Sequence, residues 1–209
     1  MRNPLLSSSL LLLLAAAGAA AQADPATFAA RDAHEGLLLA VDSYHDATRA
    51  KEKFGKKNPR DAGILAIEVF FRNDTDSAIR VAVERIRLIL APRDQARQRL
   101  ESLALDEVLD RMLNKGGPNL NLPRKPLPGA PKPGRSKERR ELQAALGPLV
   151  FEMYVLPPRS TARGFLFFDI ARHFDWVSDA ALYVPDLKRL PGREPLLFFE
   201  VALAPGARR

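Results

Sequence analysis

The sequence of 209 residues contains no cysteine, and this absence excludes three features. Such a chain forms no disulfide framework, carries no lipid on an N-terminal cysteine and has no thiol nucleophile. We expect its stability to come from an apolar core instead. A single domain of this length buries roughly two thirds of its surface, which is enough for such a core.

Long apolar runs are also scarce, and the one at the start of the chain predicts export. Residues 10–21 are uncharged and apolar, and they follow Arg2. The segment Ala21-Gln22-Ala23 fits a small-x-small cleavage site. We expect a signal peptide over residues 1–23, one mature domain over 24–209, and a periplasmic or secreted protein. The alternative is an uncleaved N-terminal anchor, although the run is shorter than the roughly 20 residues that span a membrane.

The basic charge is confined to one segment. The chain has 32 Lys and Arg against 25 Asp and Glu, but residues 115–141 alone hold eight basic and two acidic residues. Outside this segment the mature chain is electrically balanced. The segment also contains six prolines between residues 116 and 137, a composition typical of extended, solvated chain. We therefore expect a flexible basic insertion at about 115–141, with the basic excess belonging to it.

Alternating apolar residues predict a mostly β fold. In residues 64–71 both faces are apolar and only Glu68 interrupts one of them, as in a central strand covered on both sides. The apolar positions then change from odd to even numbers after Glu84-Arg85, which predicts a bulge or sharp bend there. Further strands are expected at 36–41, 79–83, 86–90, 151–156, 164–170, 180–184 and 196–203. The spacing of these short strands favours an antiparallel sandwich or barrel.

Helical patterns are few. Residues 105–113 place apolar side chains on one face, with acidic residues in the early turns that suit the helix dipole. Residues 47–54 and 139–146 are two further candidates. The expected fold class is therefore all-β, an antiparallel β-sandwich with one or two short helices and a long Pro/Lys/Arg-rich insertion.

Two segments resemble exported bacterial immunoglobulin-like domains, including the telokin-like group. In the segment NPRDAGILAIEVFFRNDTDSAIRV an alternating strand ends at Asn and is followed by a polar turn and a return strand. The segment VLPPRSTARGFLFFDI, with the later ALYVPDL and LLFFEVAL, is similar to the later strands of such domains. The resemblance implies an immunoglobulin-like sandwich. It implies no catalytic residue.

No catalytic constellation is apparent, so we expect no enzyme, no cofactor and no metal. The segment from Asp169 through His173 to Asp175 has ligand types that suit a metal, but its spacing matches no familiar motif. The segment Asn73-Asp74-Thr75-Asp76 lacks the Gly and the distant Glu of a calcium loop and predicts a hairpin turn. Ser160 and Thr161 follow two prolines, as turn residues do.

The basic insertion is the strongest candidate for binding, and a merely tolerated loop is the alternative. The predicted partner is an anionic envelope component or another envelope protein, and no nucleic acid is expected. The candidate binding residues are Arg124, Lys125, Lys132, Arg135, Lys137, Arg139 and Arg140. A second basic cluster precedes the central strand and would extend the surface if the two met; it contains Arg49, Lys51, Lys53, Lys56, Lys57 and Arg60.

Three functions follow as hypotheses. The first is a non-enzymatic binding or structural module of the cell envelope that uses the basic insertion or a sheet edge. The second is an assembly factor or chaperone that lends the strand at 196–203 to a partner. The third is a hydrolase that uses Asp169, His173 and Asp175, which would require these side chains to converge.

Overall fold

A computed structural model describes residues 28, 30–92, 96–114 and 133–204. The expected signal peptide and most of the expected insertion lie outside these described residues. No helix in the described ranges is long and apolar enough to span a membrane.

The described chain is mostly β. Its twelve strands are β1 (Ala30–His34), β2 (Leu37–Ser43), β3 (Ile64–Asn73), β4 (Ile79–Arg80), β5 (Arg87–Leu90), β6 (Gln98–Glu101), β7 (Val155–Leu156), β8 (Thr161–Asp169), β9 (Ala180–Val184), β10 (Lys188–Arg189), β11 (Glu194–Pro195) and β12 (Phe199–Ala202). They form sheet A (β1-β2-β3-β8), sheet B (β11-β10-β4-β7) and sheet C (β12-β9-β5-β6). All neighbouring strands in these sheets are antiparallel.

Strand β3 is the centre of sheet A, as its sequence predicts. It pairs with β2 on one side and with β8 on the other. Leu65, Ile67 and Val69 point into a core cluster that takes side chains from all three sheets. Ile64 and Ala66 point to the opposite face, where helices cover the sheet. A strand buried on both faces needs apolar residues at odd and even positions alike.

The predicted shift of the apolar positions from odd to even numbers takes place at a turn after β4. Strand β4 ends at Arg80, and the segment Val83–Arg85 forms a single 3₁₀ turn before β5 begins. The expected strand at 79–83 is therefore shorter than predicted. The turn lets Val81 and Ile86 enter the same core cluster although their positions differ in parity.

Four strands were not predicted, and two more of the expected strands are shorter than predicted. Strand β1 was not expected, because its sequence ARDAH lacks apolar alternation; it pairs with β2 through a two-residue turn. Both turn residues, Glu35 and Gly36, have positive φ (51° and 78°), the geometry of a type I′ hairpin. Strands β6, β10 and β11 were also missed, and the expected strand at 151–156 is regular only over β7. The expected final strand at 196–203 is regular only over β12, since Leu197 and Phe198 precede it and are exposed.

Three helices are present in the described residues, one more than the fold-class prediction allows. They are α1 (Ala47–Phe54), α2 (Leu105–Leu113) and α3 (Pro133–Leu146). The first two match the predicted segments. Helix α3 begins six residues before the predicted 139–146, so residues 133–141 are helical and are not part of an extended insertion.

The last turns of α3 are anchored by apolar packing. Leu142 and Leu146 lie buried with Val108 and Leu109 of α2. This helical layer packs on the face of sheet A that carries Phe165 and Phe167 of β8. The C-terminal part of the expected insertion therefore belongs to the folded body.

Candidate functional site

The basic cluster before β3 is held by α1 and the 3₁₀ helix Pro59–Ala62. Asp46 caps α1, because its Oδ1 accepts the Arg49 N–H at 2.9 Å, and the helix ends at Gly55 with φ 59°. Asn58 caps the 3₁₀ helix in the same way, accepting the Arg60 N–H at 3.1 Å. These caps fix the backbone that carries Lys51, Lys56 and Lys57.

The two basic clusters meet. Lys57 Nζ donates to the backbone carbonyl oxygen of Glu141, in the middle of α3, at 2.8 Å. Lys137 lies four residues before Glu141 and therefore on the same side of the helix. The sequence could not tell whether the two clusters are neighbours in space. The contact between Lys57 and Glu141 shows that they adjoin.

Several cations of the two clusters are paired with carboxylates. Arg49 forms a two-pronged ion pair with Asp42, at 3.1 and 2.6 Å, and lies over the Tyr44 ring. Arg139, a predicted binding residue, donates to Asp106 at 2.9 Å and also to Asp110, both on α2. The hydrogen bond to Asp110 is the main cause that raises the pKa of Arg139. Arg139 therefore joins α3 to α2.

The cations left on this side define what we call the basic surface: Lys51, Lys56, Lys57, Lys137 and Arg140. Of these only Lys57 is half-buried, and the others are exposed. The same elements expose four carboxylates, Glu52, Asp61, Glu138 and Glu141, so the basic surface keeps a small positive excess.

The structure describes only some of the other predicted binding residues. Arg124, Lys125 and Lys132 lie outside the described residues, as does the side chain of Arg135. Arg140 is exposed, and its Nε donates to the Ser136 carbonyl oxygen at 3.3 Å.

A buried carboxylate lies beside the basic surface. The sequence pattern marked this residue as an interruption of an apolar face but indicated no role for it. Glu68, the one polar residue on its face of β3 before Arg72, is 4% exposed. Its Oε1 accepts from Arg163 Nε at 2.7 Å and lies 3.9 Å from Lys53 Nζ. Its Oε2 accepts the Tyr44 hydroxyl at 3.1 Å. A buried carboxylate needs such partners, and Arg163 is 95 positions away, so periodicity alone does not reveal it.

Aromatic rings surround the Glu68 carboxylate. Tyr44, Phe54 and Phe165 pack with ring centroids 5.3 to 5.8 Å apart. Lys53 lies 5.2 Å from the Phe165 ring centre. Burial, followed by the charge of Glu68 and its hydrogen bond, raises the pKa of Tyr44 to about 12. The Glu68 carboxylate has hydrogen-bond partners on both oxygens and cations beside it, so we assign this cluster a structural role.

Two of the three proposed hydrolase residues, Asp169 and His173, have separate partners. Asp169 forms an ion pair with Arg111 of α2 and accepts the Ala171 N–H at 3.0 Å. The His173 ring stacks on Trp176 with centroids 4.0 Å apart. Among the described residues no group of three His, Cys, Asp or Glu side chains is arranged to hold a metal ion.

The segment after β3 is a turn, as predicted, but it is not a hairpin turn, because β3 lies in sheet A and the following strand β4 lies in sheet B. Asn73 is buried, and its Oδ1 accepts from the backbone N–H and the hydroxyl of Thr75 at 3.0 and 2.7 Å. Its Nδ2 donates to the carbonyl oxygens of Ser77 and Pro157, at 2.8 and 2.9 Å. Ser160 is also a turn residue, with its hydroxyl donating to the Pro157 carbonyl oxygen at 2.7 Å. Thr161 begins β8.

The regular part of the expected strand at 196–203 lies at a sheet edge, the condition on which the strand-lending hypothesis depends. Strand β12 is the last strand of sheet C and pairs there only with β9. Glu35 accepts the Leu197 N–H at 2.6 Å, and the His34 ring stacks on Phe199 at 3.8 Å. The β1–β2 turn therefore lies beside the start of this edge.

No protein-family model and no curated protein matches the chain. Among solved structures, the chain is similar to a functionally unknown protein from Listeria monocytogenes EGD-e. The TM-score is 0.35 at 16% sequence identity, and the match covers 74% of this chain and 70% of that one. A likeness at this level does not define a shared fold.

Proposed function

We propose that this chain is a non-enzymatic binding module of the cell envelope that holds an anionic envelope component on the basic surface. The observation that carries the proposal is the contact between Lys57 and Glu141, which makes two clusters into one surface. A joined set of cations attracts an anionic polymer more strongly than separate ones, because their fields add. The apolar run at residues 10–21 supports export.

The body that presents this surface is, in our proposal, an immunoglobulin-like β-sandwich of one domain. Sheets A and C both send alternate residues into one core cluster, Leu65 and Leu182 among them, as two facing sheets do. The helical layer covers the opposite face of sheet A and carries the basic surface.

Charge reversal tests the binding role. The triple variant Lys56→Glu, Lys137→Glu and Arg140→Glu removes three exposed cations of the basic surface. We expect it to elute from a dextran sulfate matrix at clearly lower salt than the unchanged protein. The matched control is Arg31→Glu, Arg99→Glu and Arg193→Glu, which changes the net charge equally elsewhere. Equal shifts for both triples would show that retention follows net charge and would overturn the proposal.

A deletion tests the contribution of the insertion. Removing residues 116–132 leaves α2 and α3 complete, so we expect an unchanged far-ultraviolet circular dichroism spectrum. We expect weaker retention on dextran sulfate, because Arg124, Lys125 and Lys132 are lost. Unchanged retention would remove these three cations from the binding site.

A strand-lending assembly factor is the second candidate function, favoured by the edge position of β12. Its exposed neighbours Leu197 and Phe198, at 62% and 53%, would contact an unfolded client. If this function is correct, the chain suppresses aggregation of a thermally unfolding test protein. Leu197→Ser with Phe198→Ser then loses that activity, while the control Arg31→Ser with Arg99→Ser, at two other exposed positions, keeps it.

A further inference from the structure

The edge of sheet B at β7 is apolar and open. Strand β7 is the last in the order of sheet B, and no strand of the described chain pairs with its outer side. Met153, Tyr154 and Val155 are 39%, 57% and 42% exposed and are consecutive. An exposed apolar edge strand is a template for another extended chain. Pro157 and Pro158 directly follow β7 and have no N–H to donate, so the open edge is confined to residues 153–155.

The backbone of Val155 has its hydrogen-bonding groups on this open side. The Val81 N–H donates to the Tyr154 carbonyl oxygen at 2.9 Å, and Arg80 lies opposite Val155 in the register. In an antiparallel ladder hydrogen-bonded and non-hydrogen-bonded pairs alternate. Since Val81 and Tyr154 form a bonded pair, Arg80 and Val155 form a non-bonded one. The Val155 N–H and C=O therefore point away from β4.

The neighbouring surface of sheet B is cationic. Arg80 pairs in register with Val155 on one side and with Lys188 on the other, so the three residues form a row across the sheet. Arg80 is exposed and Lys188 half-buried. Within the described residues neither cation has a carboxylate within 4.0 Å, unlike Arg189 beside them, which pairs with Glu194 at 2.9 Å.

We propose that β7 accepts an extended, acidic segment of a partner protein as an additional strand of sheet B. The Val155 N–H and C=O supply the main-chain hydrogen bonds, and Met153 and Tyr154 supply apolar contact area. Arg80 and Lys188 select for acidic side chains on the added strand, because opposite charges on adjacent strands attract. This surface is separate from the basic surface and does not depend on it.

A pair of peptides tests the proposal on the full chain. The probe is a fluorescein-labelled peptide in which Val alternates with Glu, and its counterpart has Lys at each Glu position. We expect the acidic peptide to bind in fluorescence anisotropy at least about tenfold more tightly than the basic one. Equal binding of both peptides, or no binding of the acidic peptide at about 1 mM, overturns the proposal.

Two variants separate main-chain pairing from charge attraction. Val155→Pro removes an N–H that sheet B does not use, so we expect an unchanged circular dichroism spectrum and loss of peptide binding. Arg80→Glu with Lys188→Glu is expected to reverse the preference toward the basic peptide. The control, Arg31→Glu with Arg99→Glu, has the same charge change elsewhere and keeps the original preference. Acidic peptide binding that survives in Val155→Pro contradicts strand addition.

Discussion

The Tyr44 hydroxyl donates to the carboxylate of Glu68 at 3.1 Å, on the face of sheet A that α1 covers. The two groups interact most favourably while the phenol keeps its proton, because a phenolate would bring a second negative charge to the Glu68 carboxylate. Tyr44 occupies one carboxylate oxygen of Glu68, and Arg163 donates to the other.

The first prediction concerns alkaline stability. The pKa of Tyr44 is raised from 10.0 to about 12, so the folded state favours the protonated phenol more than the unfolded state does. Its stabilising contribution is complete below pH 10 and is lost as the pH rises through about 12. We expect the free energy of unfolding to fall more steeply over this range in the unchanged protein than in Tyr44→Phe. Urea unfolding at several pH values measures this, and parallel curves would contradict it.

The second prediction concerns the Glu68–Arg163 pair. Glu68→Gln weakens the 2.7 Å hydrogen bond between Arg163 Nε and the buried Glu68 carboxylate. Arg163→Met removes the donor of that bond. A double-mutant cycle should give a favourable coupling of about 1 kcal/mol, because Arg163 is 42% exposed and solvent screens part of the attraction. A control cycle of Glu68→Gln with Arg31→Met should give none.

The third prediction concerns Asn73. Replacing its carboxamide by a carboxylate in Asn73→Asp keeps the acceptor for Thr75 but faces the carbonyl oxygens of Ser77 and Pro157 with negative charge. We expect a loss of about 3 kcal/mol in the free energy of unfolding, since two donated bonds become repulsive contacts in a buried site. The control is Gln143→Glu, which makes the same change from carboxamide to carboxylate at an exposed position and should change stability by less than about 1 kcal/mol.

The fourth prediction concerns Gly164 in β8. A Cβ built there would lie 2.7 Å from Phe151 Cα and 2.8 Å from Phe151 N, which are backbone atoms. The close approach allows the Phe151 N–H to donate to the Phe165 carbonyl oxygen at 3.0 Å. We expect Gly164→Ala to cost about 1–3 kcal/mol through overpacking. In Gly192→Ala, where an added Cβ meets nothing within 4 Å, thermal unfolding should hardly change.

Periodicity predicted those parts of the fold in which burial alone selects the residues. The two apolar faces of β3 over residues 64–71, interrupted there only at Glu68, follow directly from alternation. The helix at Leu105–Leu113 follows from its apolar face. Strand β1 could not be predicted in this way, because it lies at the edge of sheet A and is largely half-buried or exposed.

The amino-acid composition of the expected insertion did not predict the structure of its C-terminal part. Proline and cations predicted extended chain up to about residue 137, but Leu142 and Leu146 bury one side of α3 against α2 and Arg139 adds ion pairs. These tertiary contacts stabilise helix in a sequence whose own propensity is modest. The edge at β7 had no sequence signal either, since whether a strand has a second neighbour depends on the order of strands in the sheet.

The joining of α2 to α3 by Arg139 has a consequence for engineering. Asn114 directly follows α2 and Pro133 begins α3, and both helices rest on the same side of sheet A. Grafted cargo such as an epitope or a small reporter, placed between residues 115 and 132, would therefore have both of its attachment points on the helical layer, away from the strand pairings.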